Sequence, residues 1–270
     1  MGNLINTYSR VRAQFGKTAA GYVASEGHAK GAELALMVDL AADALGELSG
    51  KRVLDIATGG GHTALAFAKA GAQVVATDLT PEMLRAAEAF CKEEAPEVTG
   101  NLTFTPAAAE TLPFESASFD LVTCRIAAHH FADPKAFLRE SARVLRAGGR
   151  FMLVDNIAPT PNELARVMNH IEKVRDPSHA EAYTLSMWLS WFEETHLELL
   201  HLSRWETHKD FREWLARSQT PEPEHDVLEA YILSLPESYK RYFNVEERDG
   251  ALLSLVHEAA LFVATKLEAA

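Results

Sequence analysis

The residues best suited to chemistry gather around a glycine turn. The run Val53-Leu54-Asp55-Ile56-Ala57-Thr58-Gly59-Gly60-Gly61-His62 carries apolar, β-favouring residues into three consecutive glycines. Residues 63–70 continue with small apolar side chains at helical spacing. The pattern predicts a strand, a tight turn and a helix start. Glycine lets the chain reverse through positive φ and lets a ligand approach bare backbone. The helix N-terminus behind it offers free N–H groups and partial positive charge, which suit a carboxylate or phosphate. Two acids flank this turn. Asp55 stands on the strand, four residues before Gly59, and Asp78 ends the next apolar run, Val74-Val75-Ala76-Thr77-Asp78. A carboxylate at the end of such a strand can accept both hydroxyls of a ribose.

Two ligands fit these residues. Gly59, Gly61 and Ala64 satisfy G-x-G-x-x-G/A, and Asp78 follows at the spacing of a dinucleotide site. Asp55 argues the other way, because a carboxylate beside a pyrophosphate cradle repels it. A ligand with an ammonium group gains from Asp55, and S-adenosylmethionine (SAM) has one, with a carboxylate, a sulfonium and a ribose diol. Here the chain resembles the class I SAM-dependent methyltransferases, whose first motif reads acid-x-Gly-x-Gly-x-Gly. Asp55, Gly59 and Gly61 match it, and Ala57 replaces the first glycine, where its methyl should crowd the turn slightly. Further on, Ala109-Glu110-Thr111-Leu112-Pro113-Phe114 resembles the family's D-A-E-x-L-P-F loop, with Ala108 in place of the leading acid. Ser118-Phe119-Asp120-Leu121-Val122 resembles its S-F-D-x-V strand entry, and Gly148-Gly149 before Phe151-Met152-Leu153-Val154-Asp155 resembles its third motif. The motifs stand in the family's order over about residues 50–156, and quinone- and sterol-type C-methyltransferases share these loops.

The resemblance implies a fold and a set of contacts. The fold is α/β: a Rossmann-like, doubly wound, mostly parallel seven-stranded sheet with a helical cap or insertion in the C-terminal half. The implied cofactor is SAM, held by Asp55, Ala57, Thr58, Gly59, Gly61, Asp78, Leu79, Met83, Ala109, Glu110, Arg125 and Ile126. An N-terminal helix, read here over residues 8–24, would lie over the cleft, with Phe15 and Tyr22 near the sulfonium by cation–π attraction. The chain then divides into N-terminal helices over the cleft (1–48), the cofactor core (49–156) and a cap with the last two strands (157–270). Helix-like runs at 162–175, 186–195, 209–218 and 224–234 surround strand candidates at 197–205 and 259–266. His179, Tyr183 and Trp188 are the candidates for the acceptor wall, although aromatics at helical spacing more commonly build core.

Methyl transfer is a displacement on a sulfonium with a neutral leaving group, so holding the acceptor in line matters most. A base assists where the acceptor is a hydroxyl or carbon acid. His130, near the end of the fourth strand, is the candidate base. Its neighbour His129 cannot share its direction on a regular strand. No HExxH, acid-paired histidine or CxxC pattern occurs among the eleven histidines and two cysteines, so no metal site is expected. Gly16-Lys17-Thr18 imitates the end of a P-loop, but Val11 stands where its first glycine belongs.

With 38 acidic and 26 basic residues the net charge is −12, which argues against a nucleic-acid partner and leaves a small-molecule acceptor. Cys91 and Cys124 form no paired motif, which points to a reducing, cytoplasmic setting. No apolar run is long enough for a membrane span, and no secretory h-region stands at the N-terminus. A homodimer stays open, as does a NAD-binding oxidoreductase or a non-catalytic SAM-binding protein.

Overall fold

A computed structural model of the chain describes residues 2–23 and 31–267, with side chains over 5–17 in the first helix. Helices α1 (Gly2–Val23) and α2 (Ala32–Leu45) precede the first strand. Then β1 (Arg52–Ile56), α3 (His62–Lys69), β2 (Gln73–Asp78), α4 (Pro81–Glu94) and β3 (Leu102–Pro106) alternate. They are followed by β4 (Phe119–Arg125), α5 (Pro134–Val144) and β5 (Leu145–Ile157). These five strands order as β3-β2-β1-β4-β5 and run parallel. The order reverses between β1 and β4, so the crevice opens at their carboxyl ends.

The apolar runs form central strands because both sheet faces are covered. Leu54, Ile56, Val122 and Leu153 pack on one face with Phe137 and Leu138 of α5. Val53, Leu121 and Met152 pack on the other with Met37 and Ala41 of α2 and Phe67 of α3. Pro residues set two helix starts. Pro81 follows the N-cap Thr80, and Pro134 follows Asp133, whose carboxylate accepts from the Ala136 amide at 2.9 Å.

The second half contributes α6 (Asn162–Arg175), α7 (Leu185–Glu194), β6 (Leu197–Asp210), α8 (Phe211–Ser218), α9 (Glu222–Leu233) and α10 (Glu237–Tyr242). A three-residue strand β7 (Glu246–Arg248) and the long β8 (Ala251–Lys266) complete it. β8 lies antiparallel to both β5 and β6, while β7 pairs on β8 off the main order. Helices α8 to α10 are thus an insertion between the last two main strands. Ile171, Phe211, Trp214, Leu228, Ile232 and Leu255 form their own core.

Two boundaries differ from the sequence expectation. β6 and β8 run to Asp210 and back to Ala251, well beyond 205 and 259. Past Trp205 the strand alternates Glu206, Thr207, His208, Lys209, a polar pattern that hydropathy alone does not mark as strand. The Gly148-Gly149 turn is absorbed into β5 as a bulge, since Phe119 pairs with Leu145 and Leu121 with Arg150. A Cβ at Gly149 would meet the Asp120 carbonyl oxygen at 2.9 Å, so only glycine allows this approach.

Candidate active site

A cavity of about 360 Å³ lies at the carboxyl ends of β1, β2, β4 and β5, a size typical of small-molecule sites. The glycine turn forms its floor. Asp55 is 1% exposed, and its two oxygens accept from the hydroxyls of Thr58 (2.6 Å) and Thr123 (2.8 Å). Burial pushes its carboxyl up to about 6. Asp55 therefore anchors the turn to β4 while lining the cavity. Ala57 adopts φ 53, the left-handed region where the family motif has glycine, and Ile126 at the end of β4 has φ 55. Two non-glycine residues in that region at one crevice carry backbone strain there. Gly59 donates its amide to Asp78 at 3.1 Å, and Thr80 donates to the other Asp78 oxygen at 2.8 Å. Burial raises Asp78 to about 6 as well.

Of the cofactor residues inferred from sequence, Asp55, Ala57, Thr58, Gly59, Asp78, Leu79, Met83, Ala109, Glu110, Arg125 and Ile126 all line the cavity. Gly61 does not line it. Its φ is +85, and a Cβ there would meet Ala87 Cβ at 3.0 Å, so it serves the contact between α3 and α4. Glu110 does more than edge the cavity. One oxygen accepts from the Ala132 amide at 2.9 Å, and the other accepts from the Tyr8 hydroxyl at 2.9 Å, tying α1 to the loop after β4. Arg125 donates to Thr63 Oγ1 (3.0 Å) at the start of α3 and pairs with Glu33 of α2 (2.9 Å). Burial lowers the Arg125 guanidinium from its usual value.

Helix α1 covers the cavity with Tyr8, Val11 and Phe15. Phe15 packs against Met83 and meets His130 edge-on, with ring centroids 5.0 Å apart. The side chain of Tyr22 lies outside the described residues.

His129 and His130 correct the strand argument. They sit on a short 3-10 turn, Ala128–His130, and both line the cavity with ring centroids 4.1 Å apart. The fold also makes the acid-paired histidine that no local motif showed. His129 Nδ1 lies 2.6 Å from Asp155 Oδ1, and its amide donates to Asp155 Oδ2 at 3.0 Å. Burial works against the charge, yet the Asp155 carboxylate and its hydrogen bond raise the His129 imidazole above its ordinary value. His130 behaves oppositely: burial and the neighbouring His129 lower it to about 4. Ser178 donates its hydroxyl to Asp176 at 2.5 Å and lies 3.1 Å from His130 Nδ1. That one hydroxyl proton serves Asp176, so Nδ1 of His130 carries its own hydrogen.

The cap wall consists of different residues from those inferred. Trp188 is 1% exposed and packs edge-on to Trp191 and tilted against Phe192 and Phe262 in the core on one sheet face. Tyr183 packs edge-on to Trp188 and Trp191, away from the cavity. His179 is buried behind the histidine turn. It bonds Asn169 at 2.7 Å, and burial lowers it to about 2. The cavity wall is instead drawn from Glu172 and Arg175 of α6, Trp205 and Lys209 of β6, and Trp214 and Arg217 of α8. Only the pairing of β6 with β8 and the seating of α8 bring these together, so no local signal identifies them. Among the described residues, no group of three or more His, Cys, Asp or Glu is placed to hold a metal ion. Among them, too, no helix is long and apolar enough to cross a membrane.

Residues 54–153 match the family of the methyltransferase domain. The chain is 40% identical over 207 residues to the uncharacterised methyltransferase YcgJ of Bacillus subtilis strain 168, covering 77% of this chain and 79% of that protein. A solved structure from Bacillus halodurans C-125, provisionally named a methyltransferase, superposes with TM-score 0.83 at 37% identity, over 88% of this chain and 100% of that one. The fold extends to a geranyl diphosphate C-methyltransferase from Streptomyces coelicolor A3(2), solved with S-adenosyl-L-homocysteine (TM-score 0.56, 13% identity, 86% and 79% covered). With sheet order, crevice and relatives in agreement, this chain belongs to the methyltransferase-domain family, as an enzyme of the class I Rossmann-like fold.

Proposed function

We propose that the chain transfers the methyl group of SAM to a small organic acceptor bound under the cap. The observation that carries this reading is the convergence of Asp55, Ala57, Thr58, Gly59 and Asp78 with Met83 and Ala109 on one cavity. The residues present fit the cofactor. Asp78 presents a buried carboxylate at the end of β2, suited to a diol, and the Ala57–Gly59 turn exposes backbone beside it. The first turn of α3, whose N-terminus has no side-chain cap, offers N–H groups and partial positive charge for a carboxylate. The bound cofactor supplies an electrophilic methyl on a sulfonium.

The chain's own residues do the rest. Helix α1 and the cap exclude water, and the cavity walls hold the acceptor in line. For a hydroxyl or carbon-acid acceptor, His129 is better equipped than His130 to take the proton. Asp155 binds its Nδ1–H and leaves Nε2 as the accepting nitrogen. His130, lowered by burial, stays neutral and packs against Phe15.

Calorimetry with SAM, S-adenosylhomocysteine and NADH tests the reading, with mass spectrometry of candidate acceptors for a gain of one methyl. SAM and S-adenosylhomocysteine should bind and NADH should not. Asp78→Ala should weaken SAM by about 2–4 kcal/mol, the worth of two charge-assisted hydrogen bonds in a partly closed site. Undiminished affinity in a folded variant would remove the ribose assignment, and preferential NADH binding would turn the cleft into a dinucleotide site.

A further inference from the structure

We propose that the acceptor carries an oxyanion, a carboxylate or phosphate, seated between Lys209 and Arg217 at the cap side of the cavity. This rests on the methyl-transfer reading and adds the class of acceptor to it. Along β6, alternate residues share a face, and the half-buried Trp205, Thr207 and Lys209 line the cavity, whereas the exposed Glu206 does not and the exposed His208 only borders it. Arg217 reaches the same cavity from α8. Among the described residues, neither the Lys209 ammonium nor the Arg217 guanidinium has an ion pair or a hydrogen bond.

The charges around them do not balance. Those acting on Lys209 are Glu172, Arg175 and Arg217. Glu172 is already taken: Arg175 Nε lies 3.0 Å from one of its oxygens, and His257 Nδ1 lies 3.0 Å from the other. Arg175 is itself committed, bonded to Ser218 and laid over the Trp214 ring at 4.7 Å. Lys209 and Arg217 are left as a cationic pair inside a cavity of a chain whose net charge is −12. Burial lowers the Lys209 ammonium to about 8, a cost that a bound anion would offset. The cofactor's carboxylate has a separate counterpart in the uncapped N-terminus of α3, beside Arg125, which is itself paired with Glu33. β5 and β8 lie between β4 and β6, about 14 Å across the sheet at ordinary strand spacing. The register that sets Arg125 level with Ser203 leaves Lys209 a further six residues along β6, so the two places are well over about 14 Å apart. The free anion seat therefore belongs to the acceptor, with Trp205 and Trp214 available for its apolar part.

The test titrates full-length protein, saturated with S-adenosylhomocysteine, with benzoate, benzamide, inorganic phosphate and pyrophosphate at constant ionic strength. Tryptophan fluorescence and calorimetry read the binding. Benzoate or the phosphates should bind at least about tenfold more tightly than benzamide, a difference of about 1.4 kcal/mol. Which of them binds distinguishes a carboxylate from a phosphate seat. Lys209→Met and Arg217→Gln should each weaken that anion about tenfold or more, Lys209→Arg should retain it, and S-adenosylhomocysteine affinity should stay within about threefold. Circular dichroism establishes that each variant is folded, and Lys209→Gln replaces any that is not. Equal binding of benzamide and benzoate, no oxyanion binding, or unchanged anion affinity in the folded variants would overturn the proposal. Failure of S-adenosylhomocysteine to bind would instead overturn the methyl-transfer reading.

Discussion

At the residue scale, the adjacent histidines divide the proton chemistry by environment. Asp155 holds His129 above the ordinary imidazole value, while burial holds His130 near 4. A base works only when neutral, and His129 loses its bound proton only as pH rises through its raised pKa. With a hydroxyl or carbon-acid acceptor, kcat/KM should therefore fall as pH drops through a value above about 6.5. Asp155→Asn should move that acid limb to lower pH, and His129→Ala should cost about 10²–10⁴ in kcat. His130→Ala should leave the limb where it is. A pH–rate profile indifferent to His129→Ala would show that the acceptor needs no base, as a neutral amine would not.

At the element scale, the glycine turn works because α3 and α4 approach closely at Gly61. Gly61→Ala would place a Cβ 3.0 Å from Ala87 Cβ and 3.2 Å from Cys91 Sγ, at φ +85. The left-handed backbone costs about 1–2 kcal/mol and the overpacking about 1–3 more. Gly250, in the turn between β7 and β8, has φ +79 and nothing within 4 Å of its added Cβ. Gly250→Ala thus isolates the backbone cost. Chemical denaturation should show the larger loss at Gly61, and equal losses would mean that the helices part freely to admit the methyl.

At the scale of the whole molecule, the C-terminal half and the parallel strands share one sheet, since β8 pairs with β5 along Arg150 to Ile157. That pairing puts α7 and Trp188 against Phe262 and the central core, on the side of the sheet opposite α2 and α3. Trp188→Ala should cost about 3–5 kcal/mol of stability. In the folded variant, S-adenosylhomocysteine and oxyanion affinities should remain within about threefold. A selective loss of oxyanion binding would return Trp188 to the acceptor wall.

The sequence by itself determined what is local. Strand, glycine turn and helix are contiguous, so β1, the Asp55 and Asp78 placements and the family resemblance followed from residues 50–156. Helix α6 agreed over 162–175, because its spacing and flanking Pro161 are local signals. Tertiary structure decided whatever depends on pairing between distant segments. His129 meets Asp155 only because β4 and β5 lie side by side, and the turn after β4 is a 3-10 turn that points both rings inward. Likewise, Lys209, Arg217 and Trp214 become a cavity wall only when β6 docks on β8 and α8 folds back over it. A tryptophan in an amphipathic helix has the same local signature whether its helix faces core or cleft. Which it faces, Trp188 inward and Trp214 at the cavity, was set by the sheet's order and not by the residues around it.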